Sequence, residues 1–148
     1  MENDRAIKFL EGTPVTYEAQ NDTLKFSLTL RNPKKDTSSR SHVDYTYEAE
    51  VIAENNTGGL SKSKAGWTHY AYFLYANGSF GGIFNEVVEN AGNLCYLLRS
   101  RIGGDKPNQS SLIRLMHQVE DEIKKDFLHP RGGWTNLRED LFERFFQK

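Results

Sequence analysis

Eight consecutive residues, Leu24 to Arg31, alternate strictly between apolar and polar side chains. Successive side chains of a β-strand point to opposite faces of a sheet, so this period of two predicts a strand. Asn21-Asp22 immediately before it is a turn signal, because both residue types favour turn conformations. The chain is therefore expected to fold around a β-sheet.

Further strands are predicted on both sides of this segment. Residues 15–19 and 45–51 alternate in the same way. The aromatic run 67–75 is apolar at nearly every position, which favours a buried central strand. Residues 32–42 are polar and include a proline, so they are predicted to form a loop or a frayed hairpin tip.

Helical spacing replaces the strand period towards the C-terminus. Apolar residues recur at intervals of three and four from Val87 to Leu98, and a helix is predicted near 85–101. Cys95 lies in this stretch and is expected to be a buried structural thiol. Further helices are predicted near 4–10, 119–128 and 136–147, and Leu112–Met116 is interpreted as an edge strand.

These elements predict one α/β domain spanning residues 1–148, because neither a linker nor a repeat divides the chain. We expect a mixed central sheet of roughly four to six strands flanked by helices. The helices are expected to pack against the 67–75 strand from both sides.

Charge and hydropathy restrict the possible partners. The formal net charge is −1, with 19 basic and 20 acidic side chains, so any nucleic-acid binding has to use a local patch. The chain has neither a signal-like N-terminus nor an apolar run of 18 residues. We therefore expect a cytoplasmic protein without a membrane partner.

The charged hairpin between Asp22 and Glu54 is the strongest candidate for a functional site. Lys34 follows the first strand, and Glu48 and Glu50 stand on the returning strand. Two carboxylates and a lysine at adjacent strand ends suit phosphodiester hydrolysis, in which carboxylates hold Mg²⁺ and a lysine orients water or phosphate. A solvated hairpin without a function is the alternative interpretation of the same residues.

The order of several short motifs resembles the phage- and plasmid-type branch of the PD-(D/E)XK nuclease superfamily. Tyr47-Glu48 lies fourteen residues after Lys34, and the match spans roughly residues 15–116. The motifs that carry it are Asp22, Lys34-Lys35-Asp36, Tyr47-Glu48, Gly58-Gly59-Leu60, Ser63-Lys64-Ala65-Gly66-Trp67, Gly103-Gly104-Asp105 and Leu112-Ile113.

This resemblance implies a restriction-endonuclease-like core and a DNA nuclease of phage or mobile-element origin that depends on Mg²⁺ or Mn²⁺. Asp22, Asn32 and Glu48 would be the metal ligands, and Lys34 would act with Asp22 and Glu48 in catalysis. The expected DNA contacts come from four basic residues beside the returning strand: Lys35, Arg40, Lys62 and Lys64. A homodimer is a further possibility, because many nucleases pair to cut both strands.

Two departures from the family pattern define an alternative function. The motif reads Asn32-Pro33-Lys34, so an amide stands where the family carries its second acid. An amide supplies an oxygen but no charge, and this lowers the affinity for Mg²⁺. Gly66 stands where the family usually has a further acid. The alternative is a catalytically silenced nuclease fold that binds DNA or a host protein as an inhibitor of the anti-defence type.

Overall fold

Four strands form one antiparallel sheet in a computed structural model that describes residues 4–35, 43–55, 64–74, 80–102 and 108–127. The strands lie in chain order, and each pairs with the next: β1 (Val15–Gln20), β2 (Leu24–Lys35), β3 (Val43–Asn55) and β4 (Lys64–Leu74). Three helices accompany them: α1 (Asp4–Leu10), α2 (Phe80–Ile102) and α3 (Gln109–Phe127). The α/β class is confirmed, but the expected mixed sheet is wrong within the described residues, because every described strand pair is antiparallel.

The alternating pattern of β2 determines which face of the sheet is buried. Leu24, Phe26, Leu28 and Leu30 are fully buried, and the β3 residues opposite the last three are Ala53, Val51 and Ala49. Burial of such apolar surface contributes about 25 cal/mol per Å², which makes this side of the sheet the main source of stability. The intervening polar residues of β2 point to the other face.

All three described helices pack against the buried face. The α3 helix meets β1 where the Tyr17 hydroxyl donates a 2.6 Å hydrogen bond to Asp126, and α1 places Phe9 edge-on against Tyr47 of β3. The α2 helix meets β4 through Glu86, which accepts a hydrogen bond from the Trp67 indole. Helices on both sides of the 67–75 strand were expected, and within the described residues that expectation is wrong.

We call the opposite side of the sheet the polar face. It carries the side chains of alternate strand residues, and none of the three described helices contacts it. Its members are Thr16, Glu18, Gln20, Lys25, Ser27, Thr29, Arg31, Lys34, Thr46, Glu48, Glu50, Ile52, Glu54, Lys64, Gly66, Thr68 and Tyr70.

The structure corrects three predictions about the strands and helices. Residues 32–35 continue β2 instead of forming a loop, and Leu112–Met116 belongs to α3 instead of an edge strand. The β4 strand is an edge of the described sheet instead of its centre, and Tyr70 within it is 73 % exposed. The predicted helix at 136–147 lies outside the described residues.

The predictions for the first helix and for the cysteine agree with the structure. The helix predicted near 4–10 is α1, and Gly12 ends it with a left-handed backbone (φ 102°). Cys95 is buried, as expected for a structural thiol. Within the described residues, no helix is long and apolar enough to cross a membrane.

Candidate functional site

A β-bulge in β2 shapes the candidate site. Arg31 pairs with Glu48 and Lys34 pairs with Thr46, so two residues of β2 face one residue of β3. Asn32 occupies the bulge with φ 57°, a left-handed conformation that asparagine adopts more readily than most residues. Pro33 has no backbone N–H to contribute to the ladder, which suits a bulge. The bulge keeps Lys34 on the polar face, in register with Thr46.

Arg31 holds both glutamates of the candidate site. Its Nε donates to Glu48 at 3.0 Å, and its Nη1 donates to Glu50 at 3.1 Å. The hydrogen bond from Arg31, followed by one from the Asn32 amide, lowers the pKa of Glu48 below its ordinary value. The same contact with Glu48 raises the pKa of Arg31. Glu48 is therefore ionised at neutral pH, and a fixed guanidinium already balances its charge.

Tyr70 and Lys34 extend this cluster along the polar face. Tyr70 is directly opposite Glu48 on β4, so Arg31, Glu48 and Tyr70 form one row across three neighbouring strands. Lys34 is exposed, and its charge contributes to lowering the pKa of Glu48. The structure thus brings together Asn32, Lys34 and Glu48 of the predicted site.

Asp22 lies at the other end of the sheet. It is exposed in the β1–β2 turn, where the Asn21 side chain accepts hydrogen bonds from the backbone N–H groups of Thr23 and Leu24. Leu24 pairs with Asn55, and the seven residue steps from Glu48 to Asn55 span about 23 Å at roughly 3.3 Å per residue. The structure does not bring Asp22 together with Lys34 and Glu48.

The donor set implied by the resemblance therefore does not fit one magnesium ion. Oxygen ligands of Mg²⁺ lie about 2.0–2.1 Å from the ion, so residues separated along the sheet by about 23 Å cannot share it. The remaining carboxylates, Glu48 and Glu50, are bound by Arg31. Within the described residues, no group of three or more His, Cys, Asp or Glu side chains is arranged to hold a metal ion.

The predicted DNA contacts fall into two separate places. Lys64 is exposed and pairs with Glu54, whereas Lys34 pairs with Thr46 at the opposite end of β3. Eight residue steps along β3, from Thr46 to Glu54, separate these levels, or about 26 Å at roughly 3.3 Å per residue. Lys35 lies in β2, at the same end as Lys34, and Arg40 and Lys62 lie outside the described residues.

Gly66 has a steric reason to be glycine. It pairs with Ile52, and a Cβ added to it would lie 1.8 Å from the Val51 carbonyl oxygen. No side chain fits there unless the backbones of β3 and β4 move apart. The acid that the family pattern has at this position is therefore excluded by the close approach of two strands.

Arg31 and Tyr70 are the two site residues that the sequence reasoning did not identify. The sequence pattern identifies Arg31 only as the polar end of an alternating strand, and Tyr70 only as part of an apolar run. The missing information was the strand register, which places both beside Glu48. If β2 and β3 are aligned as a hairpin with Arg31 opposite Glu48, the two residues form an opposite-charge cross-strand pair. Such a pair is the sequence signal that could have identified Arg31.

Comparison of the chain with protein-family models, curated proteins and solved structures gave no match in any of the three.

Proposed function

We propose that this chain is a non-catalytic binding protein that recognises a protein partner through the polar face of its sheet. The observation that carries the proposal is the row of Arg31, Glu48 and Tyr70, in which the glutamate of the expected site is bound to an arginine. In terms of the family resemblance, this is the silenced nuclease fold that acts as an inhibitor of a host protein.

The charges of the polar face favour a protein partner over DNA. Four basic and four acidic side chains alternate on it: Lys25, Arg31, Lys34, Lys64, Glu18, Glu48, Glu50 and Glu54. Several pair with each other, including Lys25 with Glu18 at 3.4 Å. A polyanion requires a surplus of positive charge, whereas protein interfaces combine both signs around buried anchors.

Tyr70 is the expected anchor of the interface. Tyrosine and arginine are enriched among the residues that dominate interface energetics, and Tyr70 is next to an arginine–glutamate pair. It is 73 % exposed in this structure, although it is a large aromatic side chain on a strand. Burial of its ring against a partner would stabilise the complex without any change in the fold.

We expect Tyr70→Ala to reduce partner capture about tenfold or more, the effect of losing an interface hot spot. The immobilised protein is incubated with an extract of the cells that produce it, and the retained proteins are quantified by mass spectrometry. Tyr96→Ala is the matched control, because Tyr96 is 57 % exposed on α2, away from the polar face. Equal capture by wild type and Tyr70→Ala, or equal losses in both variants, would contradict the proposal.

Metal-dependent DNA cleavage is the competing function that the proposal excludes, and the proximity of Lys34, Glu48 and Glu50 on one face is the observation in its favour. Plasmid DNA incubated with the protein and Mg²⁺ or Mn²⁺ is expected to remain intact. Asn32→Asp is also expected to show no cleavage, because Asp22 is too distant to join the site and Arg31 forms ion pairs with both Glu48 and Glu50. Cleavage by wild type that is lost in Lys34→Ala and Glu48→Ala would establish the nuclease instead. Gel electrophoresis of the plasmid provides the measurement.

A further inference from the structure

We draw no further inference here: the strongest candidate, the side-chain cluster at the junction of α2 and β4 in which one oxygen of Glu86 accepts hydrogen bonds from the Trp67 indole and the His69 ring, carries none because nothing among the described residues shows what would bind beside it.

Discussion

Gly66→Ala is expected to lower the free energy of unfolding by about 3 kcal/mol, the upper part of the range for overpacking a well-packed position. The added methyl group would lie 1.8 Å from the Val51 carbonyl oxygen and 2.9 Å from its carbon. Both atoms belong to the backbone of β3, so a side-chain rotation cannot relieve the contact. The β3–β4 ladder has to separate locally, and its hydrogen bonds weaken. Urea denaturation followed by circular dichroism measures the change.

Gly82→Ala is the matched control for this substitution. Gly82 is exposed in α2, and apart from its chain neighbours and the backbone of its own helix no atom lies within 4 Å of the position that its Cβ would occupy. Alanine has a higher helix propensity than glycine, so this variant is expected to gain about 0.5–1 kcal/mol. If Gly66→Ala is as stable as wild type, β3 and β4 do not approach each other as closely as the structure shows.

The same contact determines what a nuclease-like acid at position 66 would do. An aspartate there needs the Cβ that the Val51 carbonyl oxygen excludes, so Gly66→Asp would disrupt the sheet before it contributed a carboxylate. The pairing of β3 with β4 therefore requires glycine at position 66 and leaves no room for an acid.

Much of the sheet is predictable from the sequence because its strands are exposed on one face. The alternation from Leu24 to Arg31 gave the correct strand, and the similar pattern at residues 15–19 gave β1. The strand predicted for β4 is confirmed, but its predicted central position is wrong in the described sheet, because a nearly continuous apolar run is compatible both with a central strand and with an edge strand. Local sequence does not distinguish them, since the difference lies in which other strand is adjacent.

The α3 helix is predicted only in part, because the apolar residues of its first turns also suit a short edge strand. Leu112, Leu115, Met116, Val119 and Ile123 are all buried, and their spacing of three and four is helical. The periodicity was present in the sequence, but it was divided between a short strand and a separate helix. Asn108 begins the helix, with its side chain accepting hydrogen bonds from the backbone N–H groups of Ser110 and Ser111.

The candidate site was only partly predictable, for a geometric reason. Glu48 and Lys34 were expected together because a hairpin brings the end of one strand to the start of the next, and the structure agrees. Asp22 precedes β2 and Lys34 lies near its end, so the length of this strand separates them. The bulge at Asn32 and the pairing of Arg31 with Glu48 depend on register, which the hydrophobic pattern alone leaves open.

Asp126→Ala is expected to lower the free energy of unfolding by about 3 kcal/mol, because it leaves a buried hydroxyl without its acceptor. Asp126 is buried, accepts the Tyr17 hydrogen bond at 2.6 Å and contacts the Arg5 Nε at 3.2 Å. These contacts join α1, β1 and α3. Glu122→Ala is the control, since Glu122 binds the same arginine at 2.8 Å in a solvent-exposed pair worth at most about 1 kcal/mol. Equal losses in the two variants would contradict the importance of the buried contact.

The dependence of the free energy of unfolding on alkaline pH provides an independent test of the same contact. Burial, and then the hydrogen bond to Asp126, raises the pKa of Tyr17 above its ordinary value of 10.0. The folded state therefore keeps this proton at a pH where the unfolded chain releases it, so the stabilisation is complete below about pH 10 and decreases as the pH rises further. Between about pH 8 and pH 11, wild type should lose more stability than Tyr17→Phe in urea denaturation. Since the phenylalanine variant lacks the titrating hydroxyl, parallel pH profiles would mean that Tyr17 ionises as readily in the folded protein as in the unfolded chain.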